Sequence, residues 1–187
     1  KDIGTLYFVF SYWAGFVGTA FSSIIRLEFA VPGESILQDG QLYNLVVTAH
    51  ALVIIFFLVM PMMMGGFGNS FVPLMFKVPD ISFPRINNIS FSLLPVSMLL
   101  LFASTYVESG AGTGSTIYPP LSAHLGHPGP AIDYVIFSLH VGGLSSILAS
   151  INFFATFLSM RVKVTSLYRV PLFVWCFAVT SFLLIAA

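Results

Sequence analysis

The sequence predicts an all-α integral membrane protein, and three observations lead there. Hydrophobic types make up 57% of the 187 residues and charged types only 7%, against roughly 25% charge in a soluble domain. The few charges, Lys+Arg 7 and Asp+Glu 7, are clustered and leave five charge-free stretches, 4–25, 40–76, 86–107, 134–160 and 170–187. Strand-type alternation is absent, which argues against a transmembrane barrel. The same composition excludes a disordered chain, which would be poor in apolar residues. Balanced charge with no basic run argues against nucleic-acid binding. The single cysteine, Cys176, permits no internal disulfide.

A helix needs about 20 apolar residues to cross a hydrocarbon core of roughly 30 Å. The first stretch, 4–25, is long enough, and it lacks the basic start and short apolar run of a signal peptide. The second, 40–76, exceeds a single crossing and predicts a helix that projects or tilts. The third and fourth, 86–107 and 134–160, also span. The fifth, 170–187, is marginal and still apolar where the sequence stops; with an opening on Lys1, the chain is expected to be a piece of something longer. Pro61, Pro73 and Pro95 fall inside spans, where neighbouring helices can satisfy the carbonyls they free. Gly15/Gly18, Gly65/Gly66 and Gly142/Gly143 suit close helix contact. Between Glu108 and Asp133, Gly110, Gly112, Gly114, Pro119, Pro120, Pro128 and Pro130 predict irregular backbone over the outer surface.

Orientation follows from the basic residues. Lys1, Lys77, Arg85, Arg161, Lys163 and Arg169 share one side, and Arg26 alone takes the other. The positive-inside rule then puts the amino terminus on the cytoplasmic or matrix-like side. The acids lean outward, with Glu28, Glu34, Asp39, Glu108 and Asp133 outside and Asp2 and Asp80 inside.

Some residues are not explained by membrane crossing. His50 falls within the second span, where an imidazole must face the bundle interior and find a partner. Haem iron accepts such a ligand; a plain hydrogen bond between helices is the equal alternative. His140 also lies in a span, while His124 and His127 sit in the loop and are expected at the surface. Tyr7, Asn69, Asp80, Asn87 and Ser90 map to the inner ends of the first three spans, and Ser145, Ser146 and Asn152 lie in the fourth. Such groups build proton relays through membranes, although caps and loops at helix ends use the same residue types. Arg26 closes the first span, either snorkelling to the interface or donating to a buried acceptor.

Six motifs stand in order: Lys1-Asp2-Ile3-Gly4-Thr5-Leu6-Tyr7, Thr48-Ala49-His50-Ala51, Gly65-Gly66-Phe67-Gly68-Asn69, Pro79-Asp80-Ile81-Ser82-Phe83-Pro84-Arg85, Gly110-Ala111-Gly112-Thr113-Gly114 and Phe137-Ser138-Leu139-His140. Together they resemble subunit 1 of the mitochondrial-type cytochrome c oxidases, within the haem–copper oxidase superfamily, over the whole chain. The resemblance implies four spans and the start of a fifth from a twelve-helix bundle that reduces dioxygen to water and pumps protons. It implies that His50 is one axial ligand of haem a, that Arg26 hydrogen-bonds the haem formyl group, and that Tyr43 lines the same pocket. Asp80 matches the mouth of a proton-uptake pathway, with Asn69, Asn87, Tyr7 and Ser90 along it and Ser145 and Ser146 deeper. Glu28 and Gly33 match part of an outer sodium or calcium site. Two departures stand out: Ser115 replaces the family's usual tryptophan, and one extra residue lies between Arg26 and Tyr43.

The resemblance also sets expectations beyond this stretch. Haem a3 and copper B belong to later spans, so no catalytic residue is assigned here. The expected partners are the remainder of subunit 1, oxidase subunits 2 and 3, accessory subunits, membrane lipid and cytochrome c as electron donor. The expected location is the mitochondrial inner membrane with the amino terminus on the matrix side; a bacterial plasma membrane has the same polarity. A quinol oxidase of the same superfamily shares these motifs. A non-redox multi-span scaffold or transporter is the reading from another class.

Overall fold

The computed structural model describes residues 2–33, 36–160 and 167–187. Lys1, Glu34, Arg161 and Lys163, used above to orient the chain, lie outside the described residues. The described residues form helices joined by turns and loops, with no strand among them. Four helices are long and apolar enough to cross a membrane: α1 (Asp2–Glu28), α2 (Gly40–Phe76), α3 (Pro84–Tyr106) and α4 (Ala131–Ser159). A short turn at Leu167–Arg169 leads to α5, the shorter apolar helix Leu172–Ala186.

The helix ends follow from local chemistry. α1 takes in Asp2 at its start and Arg26 near its end, charges of the sign that a helix dipole favours at each terminus. Asp39 caps α2, its Oδ1 accepting the Gln41 N–H at 2.9 Å. α2 stops at Lys77, which adopts the left-handed conformation at φ 56°. α3 opens on Pro84, whose missing N–H costs nothing in a first turn.

Inside α2 the backbone widens into π-type turns at Val53–Val59 and Pro61–Gly68. The Met60 N–H reaches back five residues to the Ile55 carbonyl, and Pro61 next to it has no N–H to give. Such widened turns occur where the regular ladder is interrupted. α1 packs along this stretch through small residues. Gly15 lies against Leu58, Gly18 against Ile54, and Gly4 against Asn69 and Ser70. A Cβ added to Gly65 would overlap the Tyr7 ring, and one on Gly66 would meet Phe8. Gly142 approaches Ser97, but Gly143 faces open space, so close packing is absent there.

α3 and α4 are joined by an antiparallel ladder of polar groups, one rung every seven residues. Ser97 Oγ donates to the Ser138 carbonyl at 2.6 Å, and Ser138 Oγ returns a bond to the Ser97 carbonyl at 2.7 Å. Ser90 and Ser145 repeat this exchange at 2.7 and 2.6 Å. Seven residues further, the Asn152 side chain binds both backbone groups of Phe83. These serines and Asn152 are buried, whereas Val9, Phe16, Leu99 and Phe137 are exposed. Polar groups inside and apolar groups outside is the arrangement a bilayer favours, since lipid offers no hydrogen bonds and interhelical ones supply adhesion.

Candidate functional site

The first turns of α1 and α3 and the middle of α4 bring three hydroxyls together. Ser90 commits its proton to the Ser145 carbonyl, so the Tyr7 hydroxyl, 2.9 Å from Ser90 Oγ, must be the donor of that bond. The Tyr7 ring can reach this position because Gly65 has no side chain. A small cavity borders Tyr7, Ser90, Ser145, Ser146 and Ser150, with about 20 Å³ open to a water's centre. That is room for about one water. Ser150 Oγ is buried there without a partner, and Asn69 Oδ1 on α2 and Asn87 Oδ1 on α3 are likewise buried and unpartnered. Asn69 Nδ2 donates to the Gly65 carbonyl at 2.7 Å. Buried acceptors without protein partners are places that ordered water fills. Ser146 Oγ bonds back to the Gly142 carbonyl at 3.1 Å.

Asp80 stands apart from this cluster, exposed, with Oδ1 accepting the Ile81 N–H at 2.8 Å. The segment that follows it is fixed to α4. The Ser82 N–H donates to Thr156 Oγ1 at 3.0 Å, next to the Asn152–Phe83 pair. Both anchoring side chains are buried. The sequence marks Asn152 as polar within a span, but its grip on the Phe83 peptide depends on helix register.

In the first third of α2, His50 is half-buried and its Nδ1 lies 2.8 Å from the Gly18 carbonyl oxygen on α1. A carbonyl only accepts, so Nδ1 is the donor and Nε2 is the nitrogen left to meet a metal. A bond of this kind orients an imidazole ring toward a metal. Arg26 is exposed at the end of α1. Tyr43 packs edge-on to Phe29 with ring centroids 5.8 Å apart.

At the end of α1, Glu28 Oε2 accepts the N–H groups of Ile36 and Leu37 at 3.0 and 3.1 Å. Gly33 has φ +93°, a left-handed conformation suited to glycine. A cavity of about 500 Å³ is bordered by Glu28, Gly33, Asp39 and Tyr43. Among the described residues no three His, Cys, Asp or Glu side chains gather to hold a metal ion.

The remaining histidines divide. His124 is exposed, and His140 is exposed with Nδ1 bonded to the Ile136 carbonyl. His127 departs from the surface position expected of it and is only 6% exposed. The loop folds back so that both of its ring nitrogens find protein partners.

A family model for cytochrome c and quinol oxidase polypeptide I matches residues 2–187. The chain belongs to that family. Cytochrome c oxidase subunit 1 of Eremothecium gossypii is 50% identical over 186 residues, covering 99% of this chain and 35% of that protein. The chain thus spans about a third of the length of this curated relative. Members of the oxidase polypeptide I family use haem and copper, and the donor chemistry of His50 fits a haem iron: an imidazole, oriented by a backbone carbonyl, inside a membrane-length helix.

Proposed function

We propose that this chain supplies one axial ligand of haem a and the proton-uptake entrance of a cytochrome c oxidase. That enzyme takes electrons from cytochrome c, reduces dioxygen to water and pumps protons. The observation that carries the reading is the bond from His50 Nδ1 to the Gly18 carbonyl at 2.8 Å, which leaves Nε2 as a lone-pair donor within a span. Haem supplies one-electron redox chemistry when bound. The chain's own residues would hold it: the Gly18 carbonyl orients His50, Arg26 would donate to the haem formyl oxygen, and Tyr43 would line the pocket. Haem a3 and copper B belong to the remainder of subunit 1.

On the inner side, Asp80 takes up a proton at its exposed carboxylate. Asn69 and Asn87 hold water between it and Tyr7, as their unpartnered oxygens favour. Tyr7, Ser90, Ser145 and Ser146 then present hydroxyls around the cavity. Glu28 and Gly33 contribute to an outer sodium or calcium site. The chain sits in the mitochondrial inner membrane with its amino terminus on the matrix side, assembled with subunits 2 and 3, accessory subunits and lipid.

The test is His50→Ala in the assembled enzyme. Loss of the low-spin haem a band from the reduced-minus-oxidised spectrum is expected, and an unchanged band overturns the assignment. Because the family model embraces quinol oxidases, copurification of a subunit with dinuclear copper is the mark of cytochrome c as donor.

A further inference from the structure

The outer loop between α3 and α4 folds over the first turns of α2, and His127, unused by either proposed site, lies at its centre. Nδ1 of His127 is 2.6 Å from the Leu121 carbonyl oxygen, so it carries the ring proton. Nε2 then offers its lone pair, and the Gly112 N–H donates to it at 3.0 Å. Gln41, in the first turn of α2, places its side-chain nitrogen 3.2 Å from the same Nε2 and 3.2 Å from the Gly110 carbonyl oxygen. The glycines suit this close fit. Gly110 and Gly114 have φ of +71° and +73°, and a Cβ on Gly112 would come within 2.8 Å of the Gln41 side-chain nitrogen.

A second tether lies deeper. The Gly114 N–H donates to Thr48 Oγ1 at 2.9 Å, while Thr48 Oγ1 donates to the Asn44 carbonyl at 2.7 Å. Thr48 stands two residues before His50. The loop is therefore bonded to α2 at its first turn and again beside the histidine.

We infer that His127 is a positioning residue: it clamps the glycine loop 110–114 onto α2 and thereby fixes the outer end of the helix that carries His50. The effect on haem rests on the proposed role of His50; the clamp does not. A rigid ring with one donor and one acceptor meets the needs of Leu121 and Gly112 together. A smaller apolar side chain leaves both backbone groups without partners, a costly state in a buried loop.

The test compares wild type, His127→Ala, His127→Gln and Thr48→Val in the assembled oxidase. Amide hydrogen exchange is followed over 110–114, together with the reduction potential and absorption band of the low-spin haem. His127→Ala is expected to speed exchange about tenfold, the change that accompanies roughly one lost buried hydrogen bond, and to shift the potential. His127→Gln, whose Oε1 can accept from Gly112, is expected to recover part of both. Thr48→Val is expected to speed exchange at Gly114 and shift the potential with His127 intact. Should His127→Ala fail to assemble, the Gln and Val variants judge the proposal by the same readouts. Unchanged exchange overturns the clamp. Faster exchange with unmoved potential and band overturns its link to the His50 helix. If His50→Ala leaves the haem band intact, the haem link falls with that reading, while exchange still decides the clamp.

Discussion

Asn152 bonds both backbone groups of Phe83. Its Oδ1 accepts the Phe83 N–H at 2.9 Å and its Nδ2 donates to the Phe83 carbonyl at 3.0 Å. Phe83, three residues after Asp80 and immediately before α3, is thus fixed to α4 by one side chain that is 1% exposed. Asn152→Leu keeps similar bulk and removes both bonds. Each buried backbone group left without a partner costs about 1–3 kcal/mol. Amide exchange over 81–83 should rise at least tenfold while the middle of α4 stays protected; equal exchange in the two proteins would refute the clamp.

Asp80→Asn removes the carboxylate but keeps its size and an oxygen that can accept the Ile81 N–H. If Asp80 takes up protons, turnover and pumping should fall by about 10²-fold, the scale on which positioned proton-transfer groups act. Stopped-flow proton uptake from the inner side measures this. Wild-type uptake in the variant would end the assignment.

Gly65→Ala and Tyr7→Phe probe the same contact in different ways. An alanine at 65 overlaps the Tyr7 ring, and overpacking of this kind costs about 1–3 kcal/mol. Tyr7→Phe keeps the ring and loses only the bond to Ser90, worth about 0.6 kcal/mol for an average interhelical bond in a membrane protein. Thermal inactivation should therefore rank Gly65→Ala as the more damaging change. A reversed order would show that the hydroxyl, and not the close approach, dominates.

Ser97→Ala and Ser138→Ala each remove one half of a reciprocal rung. Because each hydroxyl also lies 3.2 Å from the other, the two losses should not add. A double-mutant cycle on thermal stability should give a coupling of about 0.5 kcal/mol or more, as residues in contact do. Strict additivity would mean that each serine bonds its carbonyl independently.

The long helices were legible because charge marks membrane boundaries directly, as Arg26 and Glu28 do at the end of α1. The ladder between α3 and α4 was only half legible. Ser90 and Ser97 stand seven apart, and so do Ser138, Ser145 and Asn152, but spacing along each helix does not say which rung meets which. His127 misled for a different reason. It sits among Pro and Gly, the composition of an exposed loop, and its burial arises from the path that the loop takes back over Gln41. The role of Gln41 itself had no signal, since a lone glutamine in a first turn is ordinary helix chemistry. Nor did sequence patterning reveal the widened turns of α2, where Pro61 marked an interruption without saying how the backbone would absorb it.

Those widened turns have a consequence for angular phase. His50, Ile54 and Leu58 meet α1 at intervals of four residues, yet a regular α-helix repeats every 3.6. At about 100° per residue, a four-residue repeat drifts some 40° per step, and the seam would soon wind away from its neighbour. The slack backbone between Val53 and Gly68 takes up that drift, so Gly65, Gly66 and Asn69 still face α1 at the far end of the same rod. Removing one residue from this stretch would tighten it and swing everything beyond by roughly 100°, turning Asn69 out of alignment while His50 kept its place.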